Sequence, residues 1–82
     1  MTLDDIYWRV NGYLAVAGEP RGERELIAVC DRWSVGNGRS NWPVDRYVVW
    51  RVFLRDDGQV IASAGHYTPS LADALSNMDS RP

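Results

Sequence analysis

The stretch "RYVVWRVFLRDDGQVIASAGHY", from Arg46 to Tyr67, constrains the fold most. Two apolar runs flank Asp57-Gly58, and Asp-Gly between such runs is a strong signal for a tight β-hairpin turn. With Asp57 and Gly58 as the central residues, a register follows. Leu54 opposes Ile61, Val52 opposes Ser63, Trp50 opposes Gly65, and Val48 opposes Tyr67. One face is then nearly all apolar, around Val48, Trp50, Val52, Leu54 and Ile61. A ring laid across a glycine explains the Trp50–Gly65 pair. The other face carries Val49, Arg51, Phe53, Arg55, Val60, Ala62, Ala64 and His66. A slip of one residue exchanges the faces of one strand, so the register is a commitment.

The segments on either side are read by period and caps. After the hairpin, Thr68 is placed as N-cap and Pro69 at the first helical position, where a missing N–H costs nothing. Leu71, Ala74, Leu75 and Met78 form the apolar stripe of this helix, and "DSRP" is expected to fray. At the start, Leu3, Ile6, Val10, Leu14 and Ala17 recur at helical spacing. Thr2 suits an N-cap and Gly18 the position after the helix. The same residues also read as a hairpin about Asn11-Gly12. The four-turn stripe and the two caps favour the helix over residues 3–17. Residues 19–25 form a charged loop. Residues 26–35 read as a strand with Ile27, Val29, Trp33 and Val35 on one face, or as a helix aligning Leu26, Val29, Cys30 and Trp33. The neighbouring hairpin favours the strand. Residues 36–43, "GNGRSNWP", are loop.

This order predicts one α+β domain over residues 1–82. It is a three-stranded antiparallel sheet with an N-terminal and a C-terminal helix, α-β-β-β-α. The helices cover the Val48–Trp50–Val52 face, and the face with the arginines stays partly open.

Composition narrows the function. The 82 residues carry a net charge of −2, and all nine basic residues are Arg. A general nucleic-acid binder is usually basic, so this balance disfavours one. Cys30 is alone, which rules out an intrachain disulfide and points to a reducing cytoplasm. No run is long enough to span a membrane, and no export signal is visible. One His and one Cys do not make a zinc cluster, and no phosphate loop or cofactor motif is present. His66 reads as a polar residue hydrogen-bonded near the helix start, not as one half of a catalytic pair with Cys30.

What is left is a surface. Arg51, Phe53, Arg55 and His66 share the open face, and Arg39 and Trp42 sit on the adjacent loop. Trp42 either folds back over the core or forms a contact tip with Arg39. A mixed apolar and arginine face has the make-up of an interface centre, which predicts another protein as partner. A homodimer would cover the same face. Stacking and phosphate contacts from Arg51, Phe53 and Arg55 keep a nucleic-acid module as the alternative.

The second half holds Tyr47 and Trp50 on a strand, then Gly65-His66-Tyr67, then Ala74-Leu75 and a late Arg81. This pattern resembles that of small proteins of bacteriophages and mobile elements. The resemblance implies a compact, non-enzymatic protein of the host-cell cytoplasm. It also implies inhibition of a host defence complex by occlusion, as anti-CRISPR proteins inhibit theirs.

Overall fold

The computed structural model describes residues 9–34 and 43–81. Its centre is one antiparallel sheet of five strands, curled into a half-barrel, with a single helix against it. The strands are β1 (Arg9–Val10), β2 (Tyr13–Pro20), β3 (Glu25–Asp31), β4 (Tyr47–Leu54) and β5 (Val60–Thr68), paired in chain order. The helix α1 spans Leu71–Ser80. This corrects the expected α-β-β-β-α arrangement of three strands and two helices.

The first correction is local. Asn11 and Gly12 adopt φ of 52° and 87°. Two consecutive left-handed residues make the type I′ turn that Asn-Gly favours, and its twist matches the flanking strands. Val10 pairs with Tyr13 and Arg9 with Leu14. From residue 9 onward the expected helix is therefore a hairpin; residues 3–8 of it, and its Thr2 cap, lie outside the described residues. A helical stripe and a bulged strand place apolar residues alike here, because Val16 is an extra residue. The β2–β3 register shifts between Ala15 and Ala17. Ala15 then faces one side of the sheet with Cys30, and Ala17 faces the other with Val29.

β3 is the strand expected over residues 26–35, shorter at its end. Arg32–Ser34 turn into a short 3-10 segment. Ser34 Oγ accepts from Leu14 N at 2.8 Å and donates to Asp31 O at 2.5 Å, which ties this turn to β2.

The hairpin β4–β5 turns at Asp57-Gly58 as expected, but through a three-residue loop, Asp56–Gly58, closed by the Arg55 N–Gln59 O bond, and not through the expected two-residue turn; the register shifts by one as a result. Leu54 pairs with Val60, Phe53 with Ile61, Val52 with Ala62 and Arg51 with Ser63. Past a bulge, Val49 pairs with His66 and Val48 with Tyr67. The expected register is right beyond the bulge and one residue out between it and the turn. Ala64, at φ 55°, takes up the difference. Ile61 consequently leaves the Trp50 face and joins Phe53, while Val60 and Ala62 move onto the Trp50 face.

Both faces of β3 are buried, and both faces of β4 from Val48 to Trp50. The inner face of the curl holds Val10, Ala15, Leu26, Ala28, Cys30, Val48, Trp50 and Val52. Tyr13 stacks on Trp50 with ring centroids 5.9 Å apart. The two rings come from β2 and β4 and meet across β3, whose inward residues Ala28 and Cys30 are small. The outer face packs Ile27, Val29 and Val49 against Ala74 and Met78 of α1. Helix cover thus falls on the side expected to be open, and Val49, expected to face outward, is fully buried.

α1 begins two residues later than expected. Thr68 ends β5, and Ser70 is the N-cap, accepting from Asp73 N at 3.2 Å. The C-terminal end does not fray. Arg21 Nη2 donates to Met78 O at 2.8 Å and to Arg81 O at 3.1 Å. Arg81 donates to Asn77 Oδ1 at 2.9 Å and to Ala64 O at 2.7 Å. Arg21 thereby satisfies carbonyls at the negative end of the helix dipole, and Arg81 pins the helix to the bulge.

Gly65 is the tightest point of this packing. A Cβ there would lie 2.7 Å from Trp50 Nε1 and 3.1 Å from Tyr67 Cε1. Gly65→Ala is expected to lower unfolding stability by about 1–3 kcal/mol, the usual cost of overpacking. A lower urea midpoint at unchanged slope is the check.

Candidate functional site

The expected site residues divide into three sets. Arg39 and Trp42 lie outside the described residues. Arg51, Phe53 and Arg55 lie on the hairpin arm, and His66 lies on the same face beyond the bulge. That face also carries α1, which occupies its middle and leaves the arm uncovered.

The arginines are engaged within the chain. Arg51 Nη1 is 2.5 Å from Glu25 Oε1, on the neighbouring strand. Arg55 Nη2 is 3.3 Å from Asp57 Oδ2 across the turn. Arg24 pairs with Asp56. These are part-exposed ion pairs, each worth little to stability, but they neutralise the arm. Between them Phe53 and Ile61 form a directly opposed pair, 45% and 40% exposed. Phe53, Arg55, Asp56 and Asp57 line a shallow, open depression of about 350 Å³. The arm therefore presents an apolar centre ringed by compensated charge.

His66 is held apart from this patch. Its Nε2 is 3.0 Å from Asp73 Oδ2 in the first turn of α1. That bond, with a weaker one from Thr68, holds the Asp73 carboxyl below its ordinary pKa. His66 lies on the helix side, whereas Cys30 faces the inner side and is fully buried. Burial pushes the Cys30 thiol up to about 12, so it stays protonated at neutral pH. The two do not form a catalytic couple. Among the described residues no group of three or more His, Cys, Asp or Glu is placed to hold a metal ion. No helix among them is long and apolar enough to cross a membrane.

Sequence reasoning missed three features. Ile61 lies on the opposite face from that expected because the turn holds three residues, Asp56–Gly58, and not two. Arg81, expected to fray, reaches Val49 O and Ala64 O, and its guanidinium is desolvated there and repelled by Arg51. The third is a cluster where β3 and β4 open toward the loop. Arg46 grips Asp31 with two bonds, Nε–Oδ1 at 3.0 Å and Nη2–Oδ2 at 2.9 Å. Its guanidinium lies over the rings of Trp33 and Tyr47 at 4.7 and 5.2 Å. Arg32 lies 4.7 Å over Tyr67. Trp33 Nε1 donates to Pro43 O at 2.7 Å and ties the 3-10 segment to the residues before β4. The clue in the sequence was Asp31-Arg32-Trp33 facing Asp45-Arg46-Tyr47, legible only once β3 and β4 are paired.

Arg46 holds the Asp31 carboxyl below its ordinary pKa, chiefly through the paired hydrogen bond. A carboxyl depressed in the folded state contributes stability that is present above its unfolded pKa of about 3.9 and is lost as pH falls through the folded value. Asp73 acts in the same direction. Stability is thus expected to hold from neutrality to about pH 4 and to decline below it. Asp31→Asn should lower the plateau and flatten that acid limb. Thermal melts of both proteins across the acid range are the check.

Comparisons with known proteins return no match, whether with family models, curated proteins or solved structures.

Proposed function

We propose that this protein is a non-enzymatic binding module whose partner is another protein, met through the β4–β5 arm. The observation that carries the reading is the exposed Phe53–Ile61 pair, framed by Arg51, Arg55 and their carboxylates. An apolar centre with a compensated polar rim is the anatomy of a protein interface. Aromatic and arginine anchors at such a centre dominate binding energy, and each can cost about 2 kcal/mol or more when truncated.

The resemblance of the second half to small phage-type proteins extends the proposal. The partner is then a host defence complex of the bacterial cytoplasm, inhibited by occlusion. A nucleic-acid partner is the weaker reading, because a phosphate would compete with Glu25 for Arg51 and with Asp57 for Arg55.

Phe53→Ala with Arg55→Ala is the informative variant, since both side chains are exposed and neither change opposes like charges. Reversing Arg51 would set two glutamates against each other and test folding instead. The double variant is expected to melt like the wild type but to lose a protein that the wild type retains from bacterial lysate. Retention of the same protein by both would overturn this site. Nucleic acid bound with an affinity that falls steeply with salt would overturn the partner class.

A further inference from the structure

β5 is the last strand of the sheet, and among the described residues no strand pairs with its outer side. One bond shows which backbone groups face outward. Arg55 N donates to Gln59 O at 2.9 Å, which makes these two a hydrogen-bonded pair. Such pairs alternate with non-bonded ones along an antiparallel ladder. Phe53–Ile61 and Arg51–Ser63 therefore turn their groups toward each other, within the hairpin. Val60 and Ala62 turn their N–H and C=O outward. Leu54, opposite Val60, agrees: its N–H leaves the hairpin and donates to Arg24 O at 2.8 Å.

The sheet's other open margin is guarded. Among the described residues, β1 covers Tyr13 and Leu14 of β2. Beyond it β2 ends in Pro20, which has no N–H to offer, flanked by the Glu19–Arg21 ion pair. Proline and charge blunt an edge against pairing. The segment Val60–Ala64 has neither, and it exposes Val60 and Ile61.

We infer that β5 pairs antiparallel with β5 of a second copy, about a two-fold axis at Ile61. In this register Val60 of each copy faces Ala62 of the other, and the outward N–H and C=O groups of both are satisfied. Ile61 meets its own copy directly, as in a non-bonded pair where side chains lie closest. The bulge at Ala64–Gly65 ends the pairing on one side and the Asp57–Gly58 turn on the other. Charge favours a second copy over a foreign strand. Val60–Ala64 brings no like charges to the axis. Antiparallel pairing also carries each turn, with Asp56 and Asp57, alongside the far end of the other β5. There stand Arg32, over the Tyr67 ring, and His66 with its partner Asp73. The Phe53–Ile61 pairs of the two copies join into one apolar stripe on the helix side. This pairing does not depend on the heterologous partner proposed above.

Mass in solution by light scattering, over roughly a hundredfold range of concentration, tests it. The wild type is expected to rise from 9.3 kDa toward twice that value. Ala62→Pro removes an outward N–H and no bond to β4. Ile61→Lys sets like charges on the axis. Each is expected to weaken association by about tenfold or more. Should Ala62→Pro fail to fold, Ile61→Lys at its exposed position carries the test, with circular dichroism as control. A wild type that stays monomeric throughout overturns the inference. So does a dimer that the folded variants leave unchanged, or a monomer that pairs β5 only with a foreign extended peptide.

Discussion

The stack of Tyr13 on Trp50 sets the shape on which the rest of the molecule depends. Rings from β2 and β4 can meet only if the sheet bends toward them over β3. β3 allows this because its inward positions are Ala28 and Cys30, not branched or aromatic residues. Alternation of large and small residues fills a tapering barrel interior in the same way. The curl then forces a choice at β5. A straight hairpin would drive the strand into the Trp50 ring; an extra residue lets the chain pass around it. Ala64 supplies that residue in a left-handed conformation, and Gly65 leaves the space that the indole fills. The ring, the bulge and the glycine are one solution to one packing problem.

The helix is coupled to the same point from the other side of the sheet. Arg81 accepts the constraint at the end of α1 by donating to Ala64 O, the carbonyl of the strained residue. A left-handed alanine costs about 1–2 kcal/mol. It persists because the stack on one face and the guanidinium on the other both require it. Arg21 closes the circuit by binding Met78 O from the end of β2. The positions that look most peripheral in the sequence, a loop arginine and the last arginine, therefore fix the helix that buries Ile27, Val29 and Val49.

Much of this fold was legible, and the failures are instructive. The Asp57–Gly58 turn, β3, the two hairpin strands and the terminal helix follow from local chemistry. The N-terminal hairpin did not, because apolar spacing of three and four fits both a helix and a bulged strand, and Asn11-Gly12 was outweighed. The face covered by the helix was also misassigned. Val48-Val49 and Leu26-Ile27-Ala28-Val29-Cys30 are continuous apolar runs, which mark strands buried on both faces. Reading them by alternation alone promised an open side. The candidate arm suffered less. Arg51, Phe53 and Arg55 share a face as expected, since β4 is regular. Ile61 was lost to the third residue of the turn, which shifts β5 by one until the bulge restores the register.

The arginines complete the argument about what such a surface can recognise. Their roles here are geometric. Arg46 grips a carboxylate with two bonds while lying on two rings, and Arg81 divides its donors among a side chain and two carbonyls. A lysine, with one compact ammonium, could reproduce neither arrangement. On the arm, Arg51, Arg55 and Arg24 each stand beside a carboxylate. A phosphate would have to displace that carboxylate first, and the chain's net negative charge would oppose its approach. An apolar group laid on Phe53 and Ile61 meets no such barrier. Phe53 and Ile61 thus offer an apolar contact while the flanking arginines stay occupied by their carboxylates.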